Sequence, residues 1–414
     1  MNGDLRALGR ALRDAPVAQV REAVAMIDAL AERGAADALI APLRGRLRQL
    51  GIPRRLGFVR LLFLPLDPVI RDPAGWRVEQ PAVPRSALAP LGAAVQAALP
   101  AQAGAIRAAI AAGVPASDLV VRFGPPLWTE GAEVLRALPA AVAPPPGWDR
   151  TGLPAACLGP IATAGACVLS AEPRLRAAID RPDGSAVITR EIEASAAAGP
   201  ACLALLAAVL LGRCIAPTGL LALLAQAAAA RPGAHAGAHA AIERALTAVF
   251  ERLEGEAGAG LSSAAADQAA GLLAAVANGV SPRQQALARA TQLRLDAACR
   301  ARLETELAAQ VLIPLRDLPG EAGAVAGLER AARALAGYAA AARRLGNPDR
   351  YDRLLRDAAA AVGAPAGAPA LTPIDRVRMV EILAGPEAAL ALLEGREPGA
   401  ALATPPRASA GNPG

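Results

Sequence analysis

The sequence predicts an all-α, multi-helical protein with two lobes, the C-terminal one an α-solenoid-like stack of helix pairs. Signals for helix starts are frequent along the chain, whereas strand signals are rare. The composition agrees with this fold class, because 54% of the residues are hydrophobic but only 2% are aromatic. A core of Ala, Leu and Val side chains gains its stability from helices that approach each other closely over many contacts.

The helix starts are marked by a capping side chain followed by proline. Ser281-Pro282 is followed by Gln284, and Asn347-Pro348 and Thr372-Pro373 have the same pattern of an N-cap residue before proline. The N-cap side chain accepts hydrogen bonds from the exposed N–H groups of the first helical turn. The best strand signal is the "DGSAVIT" segment, residues 183–189, which has no partner strand. Helices therefore account for nearly all of the predicted structure.

The longest predicted helix covers residues 282–312. Its apolar residues recur at multiples of four, from Leu287 to Val311, so the apolar stripe winds around the helix and contacts several neighbours in turn. A second segment, residues 337–363, reads as two helices joined by Gly346-Asn347-Pro348. No fixed period of recurring identities accompanies these pairs.

Prolines and glycines at residues 143–154 mark a candidate domain boundary. Six of the nine aromatic residues precede residue 150. We therefore expect an N-terminal helical domain at 1–150, an Ala-rich helical domain at 151–399 and a disordered tail at 400–414.

All 43 basic residues of the chain are arginine. Schiff-base lysines, lysine general bases and phosphate-loop lysines are therefore excluded. The net charge of +6 comes mostly from one interval between Ala41 and Ala74, which has seven arginines and two aspartates. This basic, aromatic segment, residues 44–76, is the most unusual part of the sequence.

Three interpretations of this segment are open. In the first, residues 56–64 form a short buried strand or helix of the N-terminal core, and residues 65–73 leave it as an extended arm because of Pro65, Pro68 and Pro73. Alternatively, it is an exposed docking segment. The third interpretation is a site for nucleic acid or an anionic membrane surface, formed by Arg44, Arg46, Arg48, Arg54, Arg55 and Arg60.

Few residues suit catalysis. His235, His239 and Glu243 fall on one face of a continuous helix and form a candidate metal site; the alternative is a pair of exposed histidines at a helix start. Glu130 and Glu133 beside Trp128, in residues 123–133, form a candidate acid-base pocket; the alternative is a loop with two prolines followed by an acidic first helical turn. The five cysteines contain no C-x-x-C pair and are interpreted as small buried apolar residues. We assign no catalytic residue and expect no cofactor.

The sequence favours a cytoplasmic protein without a transmembrane span. The first ten residues lack an apolar leader core, and the apolar run at 201–211 is shorter than a bilayer-crossing helix. The predicted function is non-enzymatic binding or scaffolding with a protein partner. The alternatives are an enzyme that uses carboxylates or a His-bound metal, and a peripheral binder of anionic surfaces or nucleic acid.

Overall fold

The computed structural model describes residues 12, 15, 17–29, 56–73, 76–141, 143–178, 181, 184–213, 217–229, 235–259, 261–278, 281–316, 322–364 and 371–396. Within these residues the chain is almost wholly helical, and the predicted all-α class is confirmed. The chain divides into two compact units, Met1–Glu251 and Arg252–Gly414. The division lies inside one long helix, α10 (His235–Ala259).

The predicted boundary at residues 143–154 thus lies inside the first unit and differs from the observed division. The two helices that flank it pack along each other, so this segment connects neighbours within one core. Whether residues 1–150 fold by themselves stays a prediction. The tail at 400–414 lies outside the described residues.

In its described part, the first unit combines helices with one very short parallel strand pair. Strands β1 (Ile70–Arg71) and β2 (Val83–Pro84) pair with Ile70 opposite Val83. Among the described residues of this unit, five 3-10 helices connect longer elements: Leu64–Val69, Arg85–Ala87, Leu138–Ala140, Trp148–Thr151 and Ala155–Cys157. Besides α10, the α-helices of this unit are α1 (Val17–Ala29), α2 (Phe58–Leu62), α3 (Leu88–Ala98), α4 (Pro100–Ala111), α5 (Ala116–Ala137), α6 (Leu158–Ala178), α7 (Gly184–Ala198), α8 (Pro200–Arg213) and α9 (Pro217–Ala229).

The apolar part of the basic, aromatic segment is core, as its first interpretation predicts. Phe58 and Phe63 are buried. The segment fits closely against its neighbours, because a Cβ atom added at Gly92 of α3 would lie 2.8 Å from Val59, and one added at Gly131 of α5 would lie 2.7 Å from Leu62. Glycine at these positions lets short helix α2 lie between α3 and α5.

The predicted extended arm after this run is wrong. Leu64–Val69 forms a 3-10 helix that starts with Pro65 in its first turn, and Leu66 donates a hydrogen bond to the Phe63 carbonyl at 3.0 Å. The backbone angle φ of proline suits such a first turn, where its missing N–H group costs nothing. Only Ile70 and Arg71 continue as a strand.

Two further local predictions are overturned by packing. α5 runs without a break through Pro125 and Pro126, where the sequence suggested a loop, because its buried side holds Leu127 and Trp128 against the core. Residues 184–189 of the predicted strand form the first part of helix α7. In both cases burial of a whole helix face outweighs a local preference.

The second unit is a series of helices that pack on their neighbours in sequence. They are α11 (Ser263–Ala277), α12 (Pro282–Leu307), α13 (Ile313–Arg316), α14 (Ala322–Ala342), α15 (Pro348–Gly363), α16 (Pro373–Ala384) and α17 (Pro386–Leu393). A π-helical turn, Ala308–Leu312, joins α12 to α13. α11 packs on α12, α15 on α16 and α16 on α17, which fits the predicted solenoid-like arrangement.

The predicted helix starts of this unit are confirmed. The side chains of Ser281, Asn347 and Thr372 accept hydrogen bonds from backbone N–H groups of α12, α15 and α16, respectively. The apolar stripe of α12 is buried from Leu295 to Leu307 and continues to Val311. In this unit, the local capping signals and the burial of apolar side chains favour the same helices.

A buried polar cluster joins α12 to α15. Tyr351 donates a hydrogen bond from its hydroxyl group to Asp296 Oδ1 at 2.9 Å, and Arg300 and Arg350 form ion pairs with the same carboxylate. A Cβ atom added at Gly346 would lie 1.7 Å from Asp296 Oδ1. The turn before α15 therefore requires glycine at residue 346.

Candidate binding cleft

The first unit contains an open cleft of about 340 Å³ beside Trp76. Its walls come from the connection between β1 and β2, from the N-terminal parts of α6 and α8, and from α10. The residues that line it are Trp76, Val78, Glu79, Gln80, Pro81, Ala82, Val83, Pro160, Ile161, Ala164, Pro200, Ala201, Ala204, Leu205 and Arg244. We call this set the Trp76 cleft.

The connection that forms one wall is held by hydrogen bonds. Trp76 donates from Nε1 to the Ala82 carbonyl at 2.9 Å. Arg71 of β1 donates to the Ala248 carbonyl of α10 at 2.6 Å, and the parallel pairing of β1 with β2 fixes both ends of the connection. The Trp76 ring therefore has a defined position in the wall.

Small side chains create the space on the opposite wall. Ala164 on α6 and Ala201 and Ala204 on α8 line the cleft, where larger residues would fill it. Ile161 and Leu205 provide the larger apolar surfaces beside them. α6 and α8 pack directly on each other, so this wall is formed by two helices in contact.

Two charged residues of opposite sign line the cleft. Arg244 is half-buried, and it pairs with no acidic side chain among the described residues, whereas Glu79 is exposed. On the rim, Gln80 donates a hydrogen bond to Glu251 at 3.4 Å. Water screens an exposed charge more than a half-buried one, so Arg244 dominates the local field inside the cleft.

A buried charge cluster lies deeper in the same unit and connects α6 and α8 with the chain after α2. Glu172 accepts hydrogen bonds from Arg176 at 3.0 Å and from Arg213 at 2.7 Å. Arg213 also donates to the Pro65 carbonyl, and the Arg176 guanidinium lies 5.1 Å from the centre of the Trp128 ring. These contacts are structural, because they tie the buried 58–69 segment to the helices around it.

The predicted anion site lies mostly outside the described residues. Arg44, Arg46, Arg48, Arg54 and Arg55 are not described, and Arg60 is exposed on α2. Binding of nucleic acid or an anionic surface by these arginines stays a prediction.

The candidate metal site is described only in part. α10 begins at His235, so His235, His239 and Glu243 follow one another on one helix face. His239 and Glu243 are half-buried. Among the described residues, no group of three or more His, Cys, Asp or Glu side chains is arranged to hold a metal ion. A metal at this position stays a prediction.

The structure does not bring the candidate carboxylate pair together with Trp128. The indole ring is fully buried, and its Nε1 donates to the Leu61 carbonyl at 2.9 Å. Glu130 and Glu133 lie on the exposed side of α5, where Glu133 pairs with Arg136. Helix geometry separates them, because positions 128 and 130 point to different sides of one helix.

Sequence reasoning missed the Trp76 cleft. Its residues come from four separate segments, and no local motif joins Trp76, Ala164, Ala201 and Arg244. The only local signal was a tryptophan within a segment rich in Pro and Gly, which resembles several other loops of this chain.

One helical segment among the described residues, Ala155–Ala178, has the length and hydropathy of a bilayer-crossing helix. Half of its apolar window is buried inside the protein. A single helix of this kind is weak support for a membrane span, since the core helix of a water-soluble protein has the same properties. Residues 202–211 of the apolar run are buried in α8, whereas Ala201 is exposed.

Comparisons with protein-family models, with curated protein sequences and with solved structures find no match to this chain.

Proposed function

We propose that this chain is a non-enzymatic binding protein and that its Trp76 cleft holds an acidic, apolar segment of a partner protein. One observation carries the proposal: a mostly apolar cleft is lined by a half-buried arginine that has no acidic partner in the described part of the chain. Apolar walls with a few polar groups are the usual composition of a binding site.

The size of the cleft fits an anchoring side chain. A volume of about 340 Å³ is near the lower limit for ligand sites in proteins. Trp76, Ile161 and Leu205 provide apolar surface for one large apolar side chain, whose burial contributes about 1.5 to 3 kcal/mol. Such an anchor, buried in a pocket, is the usual centre of a protein interface.

The charge of the cleft favours an anion next to this anchor. Arg244 offers a guanidinium group that binds a carboxylate through two parallel hydrogen bonds. The cleft also lies at the start of α8, near Pro200, where the helix dipole favours negative charge. Glu79 opposes an anion only from the exposed rim.

The open side of the cleft favours a chain segment over an enclosed small molecule. Val78, Pro160 and Ala201 line the cleft and are exposed. A peptide can therefore place one side chain in the cleft while its two ends continue into solvent.

A peptide array tests this proposal. Each eight-residue peptide carries one Phe, Leu or Trp and one Asp at varied spacing, and a second set carries Asn in place of Asp. We expect the full chain to bind Asp peptides of one spacing about tenfold more tightly than their Asn counterparts. A hydrogen bond to a charged group contributes about 1.5 to 3 kcal/mol and a neutral one about 0.5 to 1.5 kcal/mol, and a difference of about 1.4 kcal/mol is tenfold in affinity.

Three variants connect the binding to the cleft. Arg244→Gln should abolish the preference for Asp over Asn, and Ala164→Phe should abolish binding because it fills the cleft. Arg150→Gln removes an exposed arginine outside the cleft and is the matched control. An equal preference in the wild-type protein and in Arg244→Gln would contradict the proposal. So would binding of a fluorescent fatty acid, dansyl-undecanoic acid, by a chain that binds no peptide.

A further inference from the structure

The structure brings together two cysteines that are distant in sequence. Cys167 lies in α6 and Cys202 in the first turn of α8, and their Sγ atoms are 2.7 Å apart, in hydrogen-bond contact. A disulfide bond has an S–S length of about 2.05 Å, so a small movement of the side chains brings the two sulfur atoms to bonding distance. No local motif indicates that these two cysteines meet, since 35 positions separate them in the sequence.

We propose that Cys167 and Cys202 form a thiol pair that a low-molecular-weight disulfide oxidises to an intramolecular disulfide, which joins α6 to α8. The proposal is independent of the proposed function, although both helices line the Trp76 cleft.

The two thiols have different surroundings, which assigns their roles. Cys167 is half-buried and Cys202 is buried, so an external disulfide reaches Cys167 first. The hydrogen bond with Cys202, together with the positive charge of Arg136, lowers the pKa of the Cys167 thiol although burial opposes the change. The thiolate is the attacking species in thiol-disulfide exchange. Cys167 is therefore the nucleophile, and Cys202 resolves the intermediate.

The exchange balances in two steps. The Cys167 thiolate attacks one sulfur of the external disulfide, which forms a mixed disulfide and releases one thiolate. Cys202 then loses its proton and attacks the Cys167 sulfur, which forms the bond between the two residues and releases the second thiolate. The protein loses two electrons and two protons, and the external disulfide is reduced to two thiols.

Oxidised glutathione is the probe for the test. The reduced full-length chain is incubated with it at neutral pH, quenched with acid, alkylated with iodoacetamide and digested with trypsin. We expect a link between the tryptic peptides 151–174 and 191–213, and the loss of two of the five alkylatable thiols. Peptide 151–174 contains both Cys157 and Cys167, so the Cys157→Ala protein is examined in parallel.

The variants decide between the proposed pair and other thiols. The link should persist in Cys157→Ala and in Cys214→Ala, the two matched controls, and should be lost in Cys167→Ala and in Cys202→Ala. Circular dichroism checks that each variant folds. If Cys167→Ala does not fold, the Cys157→Ala protein alone decides, because its peptide 151–174 retains only Cys167.

A second readout tests the roles of the two thiols. The midpoint of the pH–rate profile for alkylation of Cys167 should lie below the ordinary cysteine value of about 8.5, and it should rise in Cys202→Ala. The proposal is overturned if only mixed disulfides with glutathione form, if the link fails to form in Cys157→Ala, or if the midpoint is the same with and without Cys202.

Discussion

Replacement of Glu172 by Gln tests the buried charge cluster of the first unit. Glu172 is 1% exposed and accepts hydrogen bonds from Arg176 and Arg213 at 3.0 and 2.7 Å. Gln keeps the size of the side chain, but its amide is uncharged and its NH₂ group accepts no hydrogen bond. The substitution therefore leaves two arginines without their counter-charge.

The exposure of the two arginines sets the size of the effect. Removal of one partner from a fully buried ion pair costs about 3 to 5 kcal/mol. The Arg176 side chain is 47% exposed and that of Arg213 is 23% exposed. Water can therefore solvate both guanidinium groups in part, which reduces the loss of free energy. We expect the free energy of unfolding to fall by about 2 to 3 kcal/mol, which lowers the melting temperature by about 4 to 12 °C for a unit of this size.

The distribution of aromatic residues provides the assay. The three tryptophans, Trp76, Trp128 and Trp148, all lie in the first unit, and the two tyrosines, Tyr338 and Tyr351, lie in the second. Tryptophan fluorescence during thermal unfolding should therefore show the shift, while tyrosine absorbance reports on the second unit.

The matched control is Glu133→Gln. Glu133 forms an ion pair with Arg136 on the surface of the same unit, and its loss should change the free energy of unfolding by less than about 0.5 kcal/mol. Equal shifts of the tryptophan transition in the two variants would refute the assignment of Glu172 to a buried cluster that stabilises the unit.

The remaining predictions concern the second unit. Tyr351→Phe removes a hydrogen bond to the Asp296 carboxylate, and urea unfolding should show that the free energy of unfolding falls by about 2 kcal/mol. Tyr338→Phe removes a hydrogen bond to a neutral carbonyl, and the same free energy should fall by about 1 kcal/mol. Equal losses would contradict this. Gly346→Ala should lower the free energy of unfolding by more than about 2 kcal/mol, because the added Cβ atom clashes with Asp296. In Gly327→Ala the added Cβ atom meets nothing within 4 Å, so the free energy of unfolding should rise by about 0.5 to 1 kcal/mol. If Gly327→Ala lost as much stability as Gly346→Ala, the steric explanation would be refuted. Burial raises the pKa of Tyr338 and Tyr351, so their stabilising effect is present below about pH 10 and is lost above it. Absorbance at 295 nm should therefore show that both tyrosines ionise only together with unfolding; ionisation near pH 10 in a chain that stays helical by circular dichroism would refute this.

The sequence predicted the helices of the second unit well, because their signals are local. Ser281, Asn347 and Thr372 each cap the helix that follows, and a cap depends on only three or four consecutive residues. The apolar run around Phe58 and Phe63 likewise predicted burial, since a segment that is apolar on every side has no face to offer to water.

Sequence reasoning failed where burial of a whole face outweighed a local preference. Pro125 and Pro126 favour a break, but α5 continues because Trp128 and its neighbours are buried against other helices. The run after Pro65 became a 3-10 helix in place of an extended arm, since its buried side chains pack on α8. The local sequence pattern carries no information about contacts with residues far along the chain.

The sequence by itself determined that this protein is an all-α chain with arginine in place of lysine and a core of small aliphatic side chains, and it left three interpretations open for the aromatic run near residue 60. Only the tertiary structure decided which distant residues meet. It placed Arg244 and Trp76 in the lining of one cleft, Cys202 beside Cys167, and two arginines around Glu172. Composition and capping act within a few residues, whereas these groups come together only when whole helices pack, and their chemistry depends on that packing.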